Sequence, residues 1–137
     1  MNEPIVSLCL PTNGIIEWVF PVLDSIYAQS VDQNLYEIIV TNNGNNEEFE
    51  NRMFEYQAKH SNITYKKTTA FMFYNQLEAL KLANGKYLKF VNHRGLFTKD
   101  SLNRMIKLIC ENERTKPVIF WGNGVLKEKQ YKLDSFD

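Results

Sequence analysis

The chain has 137 residues, enough for one domain with its own hydrophobic core, and its 16 basic residues balance 16 acidic ones. This balance argues against a broadly basic surface for nucleic acid or anionic lipid, so we expect no nucleic-acid partner. There is no apolar run of the ~20 residues that a membrane span needs and no basic signal-peptide segment, so we expect no transmembrane segment and a cytoplasmic protein.

The first part of the chain alternates an apolar run with a helical pattern. Ile5–Leu10 is typical of a short buried strand ended by Pro11. Helical spacing follows within residues 15–30, and Pro21 predicts that this helix either begins near the proline or is kinked there. A second, almost wholly apolar strand is predicted over Tyr36–Thr41.

The middle of the chain repeats this alternation. Asn45 or Asn46 is expected to cap a helix that runs to Lys59, and Ile63–Lys67 is a short strand candidate. The next helix is predicted over Tyr74–Asn84, before the stop signal of Gly85. Its buried stripe is predicted to contain Leu77, Leu80 and Ala83.

The last part of the chain contributes a central strand, Tyr87–Val91, a helix over Thr98–Asn112 and a further strand, Val118–Trp121. The apolar face of this helix is predicted to contain Leu102, Met105, Ile106 and Ile109. Residues 126–137 form either a hairpin arm or an irregular end. Strands that alternate with helices predict the α/β class: a three-layer α/β/α sandwich around a mostly parallel sheet.

Three of the predicted strands are followed by polar residues. In an open α/β sheet, ligands bind where the strands end at their carboxyl edge, so these residues are the first candidates for a binding site. The candidates are Pro11, Thr12, Asn13, Asn42, Asn43, Asn92, His93 and Arg94.

Several of these segments resemble motifs of one enzyme family. Val6–Gly14 (VSLCLPTNG) is similar to a first strand followed by a P-T-Y-N loop, and Leu23–Ser30 is similar to L-x-S-I-x-x-Q-(S/T). Glu37–Gly44 resembles E-I-I-V-V-D-D-G, and Ala83–Leu88 resembles A-x-G-(E/K)-Y-I. In this order, from about Val6 to Trp121, the chain resembles the nucleotide-sugar-binding half of the family 2 glycosyltransferases, which have the GT-A fold.

The resemblance implies that residues 1–137 form a single GT-A-like nucleotide-sugar-binding domain of a truncated or half-length glycosyltransferase. Such an enzyme transfers a sugar from a nucleotide-diphosphate sugar, most often of the UDP type, to an acceptor hydroxyl in polysaccharide or glycan synthesis. The acceptor half and the general base would lie beyond residue 137, so the catalytic residues stay unknown. The alternative is a non-catalytic binding or assembly module that has lost its metal site. An exposed edge strand would allow a homodimer.

The chain departs from the family pattern at the ligand positions. The two carboxylates of the D-x-D motif, which usually bind Mg²⁺ or Mn²⁺, correspond to Asn92 and Arg94, with His93 between them. The carboxylate that reads uracil corresponds to Asn42 or Asn43. Divalent cations need anionic oxygen ligands, so we predict no metal and no other cofactor.

Two interpretations of these departures stay open. Arg94 either contacts the diphosphate in place of the metal, while Asn43 reads the base through its amide, or the site has decayed and Arg94 pairs with a surface carboxylate. Lys66 and Lys67 would add positive charge if their loop faced the cleft. The family's asparagine upstream of A-x-G falls on Leu77, with Asn75 two residues away.

Overall fold

The computed structural model describes residues 3–119, 125–126 and 129–130. Strands and helices alternate along most of these residues, and no helix among them is long and apolar enough to cross a membrane. The strands are β1 Val6–Thr12, β2 Tyr36–Asn42, β3 Ile63–Lys67, β4 Tyr87–Phe90, β5 Val125–Leu126 and β6 Lys129–Gln130. The helices are α1 Ile16–Tyr27, α2 Glu47–Lys59, α3 Tyr74–Leu82 and α4 Ser101–Glu111.

The first four strands form one parallel sheet in the order β3-β2-β1-β4. Among the described residues β4 is therefore an edge strand, so the prediction of a central strand over Tyr87–Val91 was wrong in its position within the sheet. In the register of this sheet, Thr12 lies beside Asn42, and Asn42 lies beside Lys67. The predicted α/β class with a parallel sheet is therefore confirmed. β5 and β6 form a separate antiparallel pair, in the part of the chain where a hairpin was one of the two expectations.

Helices cover both faces of this sheet. α1, α2 and α4 pack on one face in a single core with alternate residues of β1 and β2, such as Leu8 and Val40. α3 lies on the other face, where Ala79 packs against Cys9 and Ile39. Both faces of the two central strands are buried, which explains why these strands are apolar along almost their whole length.

The sequence predicted that β1 ends before Pro11, but the strand continues through Pro11 to Thr12. The carbonyl of Cys9 accepts from the N–H of Val91 beside β4, whereas the carbonyl of Thr12 accepts from the N–H of Asn43 beside β2. Residues of β1 therefore alternate between the two neighbours, and Pro11 falls on the β4 side. Since the pairing with β4 ends at Cys9, the missing N–H of the proline costs no ladder hydrogen bond.

Of the two alternatives for α1, a start near Pro21 was wrong, because the helix begins at Ile16 and contains Pro21 in its interior; a kink at Pro21 stays a prediction. Two further predictions were wrong in detail. In α3 the buried residues are Asn75 and Ala79, whereas Leu77 is 47% exposed. Val118 and Ile119 are not in a strand, and the rest of that predicted strand lies outside the described residues.

The remaining elements agree closely with the predictions. β3 has the predicted bounds, and Asn46 caps α2 by accepting from the N–H of Phe49 at 3.3 Å. The four residues predicted for the apolar face of α4 are all buried. These residues join the same core as α1 and α2, so α4 fixes the position of the chain that follows β4.

We predict that Leu102→Ala lowers the free energy of unfolding by about 2–5 kcal/mol, because it leaves a cavity where a fully buried side chain packs. Leu96→Ala, a matched change at a side chain that is 63% exposed, should change it by less than about 0.5 kcal/mol. Urea unfolding measures both. Equal effects of the two changes would show that α4 does not pack on the sheet as described.

Candidate functional site

The polar strand ends meet at Thr12, the last residue of β1. The carbonyl oxygen of Thr12 accepts from the backbone N–H of Asn43 at 3.1 Å and from the amide nitrogen of Asn75 at 3.2 Å. Its hydroxyl oxygen accepts from the N–H of Gly14 at 3.1 Å and lies 2.9 Å from Nδ1 of His93. One residue thus connects the ends of β1, β2 and β4.

Asn75 is a buried residue of this site that the sequence reasoning did not select. Its amide nitrogen donates to the carbonyls of Thr12 and Thr41, and its Oδ1 accepts from the hydroxyl of Thr68 at 2.8 Å. Because Asn75 stands four residues before Ala79, it lies on the buried face of α3. The sequence did show a polar residue four positions before Ala79, on the same face of the predicted helix. The stripe through Leu77 is more apolar, so it was predicted to be the buried one.

Asn42 supports the turn after β2. Its side chain is only 1% exposed, and its amide nitrogen donates to the hydroxyl of Tyr65 at 3.0 Å. Its Oδ1 accepts from the N–H of Gly44 at 2.8 Å. Gly44 lies so near the backbone of Asn13 that an added Cβ would be 1.8 Å from the carbonyl oxygen of Asn13. The two loops after β1 and β2 are therefore packed backbone against backbone.

Asn43 is more accessible than Asn42. Its side chain is half-buried, and one N–H of its amide donates to the carbonyl of Ala70 at 3.0 Å. Its Oδ1 has no hydrogen-bond partner among the described residues, and its second N–H is likewise unused. Asn13, on the neighbouring loop, is exposed. These two asparagines offer amide donors and acceptors at the surface of the site.

His93 and Arg94 share one aromatic neighbour, Trp18 of the first turn of α1. The guanidinium carbon of Arg94 lies 3.8 Å from the centre of the Trp18 ring, and the His93 ring makes an edge contact with Trp18 at 5.0 Å. Burial, followed by the charge of Arg94, lowers the pKa of His93 below its ordinary value, so its ring is neutral at pH 7. Asn92 supports this turn by accepting the N–H of Arg94 at its Oδ1, at 2.9 Å.

Among the three cations that the sequence analysis named for this site, Arg94 differs from Lys66 and Lys67 in its pairing. Lys66 and Lys67 are paired with Glu78 at 3.0 Å and with Glu50 at 3.4 Å. In the described part of the chain, no carboxylate forms an ion pair with the Arg94 guanidinium. The expectation that Arg94 pairs with a surface carboxylate is therefore not met by the described residues.

The residues at the D-x-D positions do not fit a divalent cation. Mg²⁺ and Mn²⁺ prefer anionic oxygen ligands, whereas this turn offers one amide oxygen already bonded to a backbone N–H, a neutral imidazole and a guanidinium. Among the described residues, there is no group of three or more His, Cys, Asp or Glu that could hold a metal. The site is suited to an anion.

Comparisons with known proteins agree with this architecture. The model of the family described as "Glycosyl transferase family 2" matches residues 7–135. A comparison with curated protein sequences gave no significant match.

Solved structures with the same fold were also found. Residues 1–349 of TarS from S. aureus superpose with a TM-score of 0.70 and 20% identity over 79% of this chain and 33% of that one, and TarS was also solved with UDP-GlcNAc and with UDP. The mannosyltransferase PcManGT from Pyrobaculum calidifontis, in complex with GDP-Man and Mn²⁺, gives a TM-score of 0.67 and 20% identity over 77% and 32%. The chain spans only about a third of these structures, and the likeness confirms the GT-A fold.

We predict that Asn75→Ala lowers the free energy of unfolding by about 2 kcal/mol, because two buried backbone carbonyls lose a donor. Gln76→Ala, on the adjacent and partly exposed position of α3, should change it by less than about 0.5 kcal/mol. Urea unfolding of both variants is the measurement. If Asn75→Ala were as mild as Gln76→Ala, the amide would not hold the two strand ends together.

An NMR titration of the two histidine rings should give midpoints below ~6.5 for both, since burial lowers the pKa of His60 and of His93. Arg94→Ala should raise the midpoint of His93, because a neighbouring positive charge is removed, and should leave that of His60 unchanged. His93→Gln assigns the two signals. A midpoint for His93 at or above 6.5 would contradict the arrangement of His93 beside Trp18 and Arg94.

Proposed function

The chain belongs to glycosyl transferase family 2, and from that premise we propose that it forms the donor-binding domain of a glycosyltransferase. The enzyme transfers a sugar from a nucleotide-diphosphate sugar, of the UDP type, to an acceptor hydroxyl in polysaccharide or glycan synthesis. A cytoplasmic location and a homodimer, both expected from the sequence, stay predictions.

The observation that carries this proposal is the meeting of three polar strand ends at Thr12. This meeting point lies at the carboxyl edge of the parallel sheet, where ligands bind in open α/β folds. The solved structures with the same fold include complexes with UDP-GlcNAc, UDP and GDP-Man, which supports a nucleotide sugar as the ligand class.

The eight candidate residues divide into two groups by their contacts. Pro11, Thr12 and Asn42 lie in the strands, and the polar side chains of Thr12 and Asn42 are already engaged within the protein, so they hold the frame of the site. The other five supply ligand contacts from loops that follow the strands. They are Asn13, Asn43, Asn92, His93 and Arg94.

Asn43 reads the base in this proposal. Its Oδ1 accepts the ring N–H of uracil, and its second amide N–H donates to a ring carbonyl, while its first N–H stays on Ala70. The bond to Ala70 orients the amide before the ligand arrives, which reduces the entropy lost on binding.

The proposed reaction is a displacement at the anomeric carbon. The acceptor oxygen forms a bond to that carbon as the bond to the diphosphate oxygen breaks, and the proton of the acceptor passes to a base. The described residues contribute the diphosphate and nucleotide contacts, and in this proposal the acceptor site and the base come from other parts of the enzyme.

We expect calorimetric titration to show binding of UDP, with a dissociation constant in the micromolar to millimolar range, and weaker binding of uridine. Asn43→Leu should lower the affinity for both ligands by about tenfold, because it removes the hydrogen bonds to the base. Asn45→Leu, at an exposed position two residues along the same loop, is the matched control and should leave both affinities unchanged.

Failure of UDP, GDP, CDP and TDP to bind at millimolar concentration, with and without Mn²⁺, would overturn the proposal. The fold would then serve the alternative role of a binding or assembly module. Binding of one of the other nucleotides in place of UDP would keep the donor role and correct the base.

A further inference from the structure

The arginine in the turn after β4 packs against an aromatic ring. Arg94 is exposed, and its guanidinium carbon lies 3.8 Å from the centre of the Trp18 ring. This cation–π contact favours one position of a long, otherwise flexible side chain. The N–H groups of a guanidinium lie around the rim of its plane, so a contact through its face leaves donors available for an anion.

Resting on the proposed function, we infer that this domain binds the donor diphosphate without a divalent cation, through the guanidinium of Arg94 held on Trp18. The cation that the family resemblance implies has no suitable ligands at this turn. A guanidinium binds phosphate oxygens in a bidentate manner and supplies positive charge at the same place.

His93 completes this arrangement as a neutral hydrogen-bond donor. The hydroxyl oxygen of Thr12 accepts from the N–H of Gly14, so its own hydrogen is available to donate to Nδ1 of His93. In that tautomer Nε2 carries the proton and is the ring's remaining donor. The lowered pKa of His93 is consistent with this neutral ring.

The residues at the positions that the resemblance assigns to carboxylates support the same conclusion. A carboxylate beside Arg94 would form an ion pair with it and would repel a diphosphate once no metal stood between them. The positions that the resemblance assigns to carboxylates hold Asn42, Asn43, Asn92 and Arg94 instead. The amides are neutral, so the charge of Arg94 remains available to a ligand.

The test is a titration of UDP and uridine in EDTA and again in Mn²⁺. We expect the affinity for UDP to change by less than about twofold on adding the metal. Arg94→Ala should lower the affinity for UDP by about 10–100-fold, to near the affinity for uridine. The affinity for uridine should not change, because the variant removes a charged hydrogen-bonding partner of the phosphates alone.

Three further variants sharpen the test. Arg104→Ala removes an exposed arginine of α4 and should leave UDP binding unchanged. Trp18→Leu should lower the affinity for UDP by several-fold, because the guanidinium loses its aromatic contact. Arg94→Lys should not restore the full affinity, because an ammonium binds phosphate as a point charge. Thermal unfolding of each variant checks that it is folded.

The outcomes separate this inference from the proposed function. A tenfold or larger gain in UDP affinity on adding Mn²⁺, or an Arg94→Ala variant that binds UDP as tightly as the unchanged protein, would overturn the inference and leave the donor role intact. Absence of binding by every nucleotide, with or without metal, would overturn both.

Discussion

The hydrogen bonds of Thr12 are the constraint on which the rest of the site depends. Thr12 ends the strand that lies between β2 and β4, so its carbonyl and hydroxyl face both neighbours. The carbonyl accepts hydrogen bonds from the backbone N–H of Asn43 and from the buried side-chain amide of Asn75. The hydroxyl oxygen accepts from the N–H of Gly14 and contacts Nδ1 of His93. The loops after β1, β2 and β4 are therefore all tied to one residue of a central strand. Buried donors and acceptors that are fully paired in this way resist rearrangement, because a broken bond leaves a polar group unsatisfied.

This frame allows a change of chemistry at its surface without a change of fold. The helices and the parallel sheet match those of proteins solved with nucleotide sugars, yet the turn after β4 carries an amide, an imidazole and a guanidinium. A metal ion is held by several ligands at once, whereas a guanidinium on a flexible side chain needs a support. Trp18 supplies that support from α1, an element whose position is fixed by the hydrophobic core. In the inferred arrangement, the positive charge that faces the diphosphate is carried by a side chain that packing holds in place.

The fold was largely predictable because its signals are local. Apolar runs, helical spacing and the cap at Asn46 gave the order of the elements and most of their bounds. Two of the errors share a cause, because each depends on which neighbour a residue meets. Pro11 is tolerated in β1 since it faces β4 beyond the end of their pairing, and Leu77 is exposed while Asn75 is buried. Apolarity alone favoured Leu77, but the polar ends of two strands required an amide.

The sequence by itself determined the α/β class, the family resemblance and the strand ends where polar residues would meet, because periodicity and motif order are properties of the chain. Only the tertiary structure decided which of those residues hold the frame and which are available to a ligand. Asn42 and Asn43 are adjacent and chemically identical, yet the first is buried with both ends of its amide bonded and the second has an unused oxygen. The support of Arg94 by Trp18 was likewise invisible in the sequence, since 76 positions separate the two residues and only the packing of α1 beside the end of β4 brings them together.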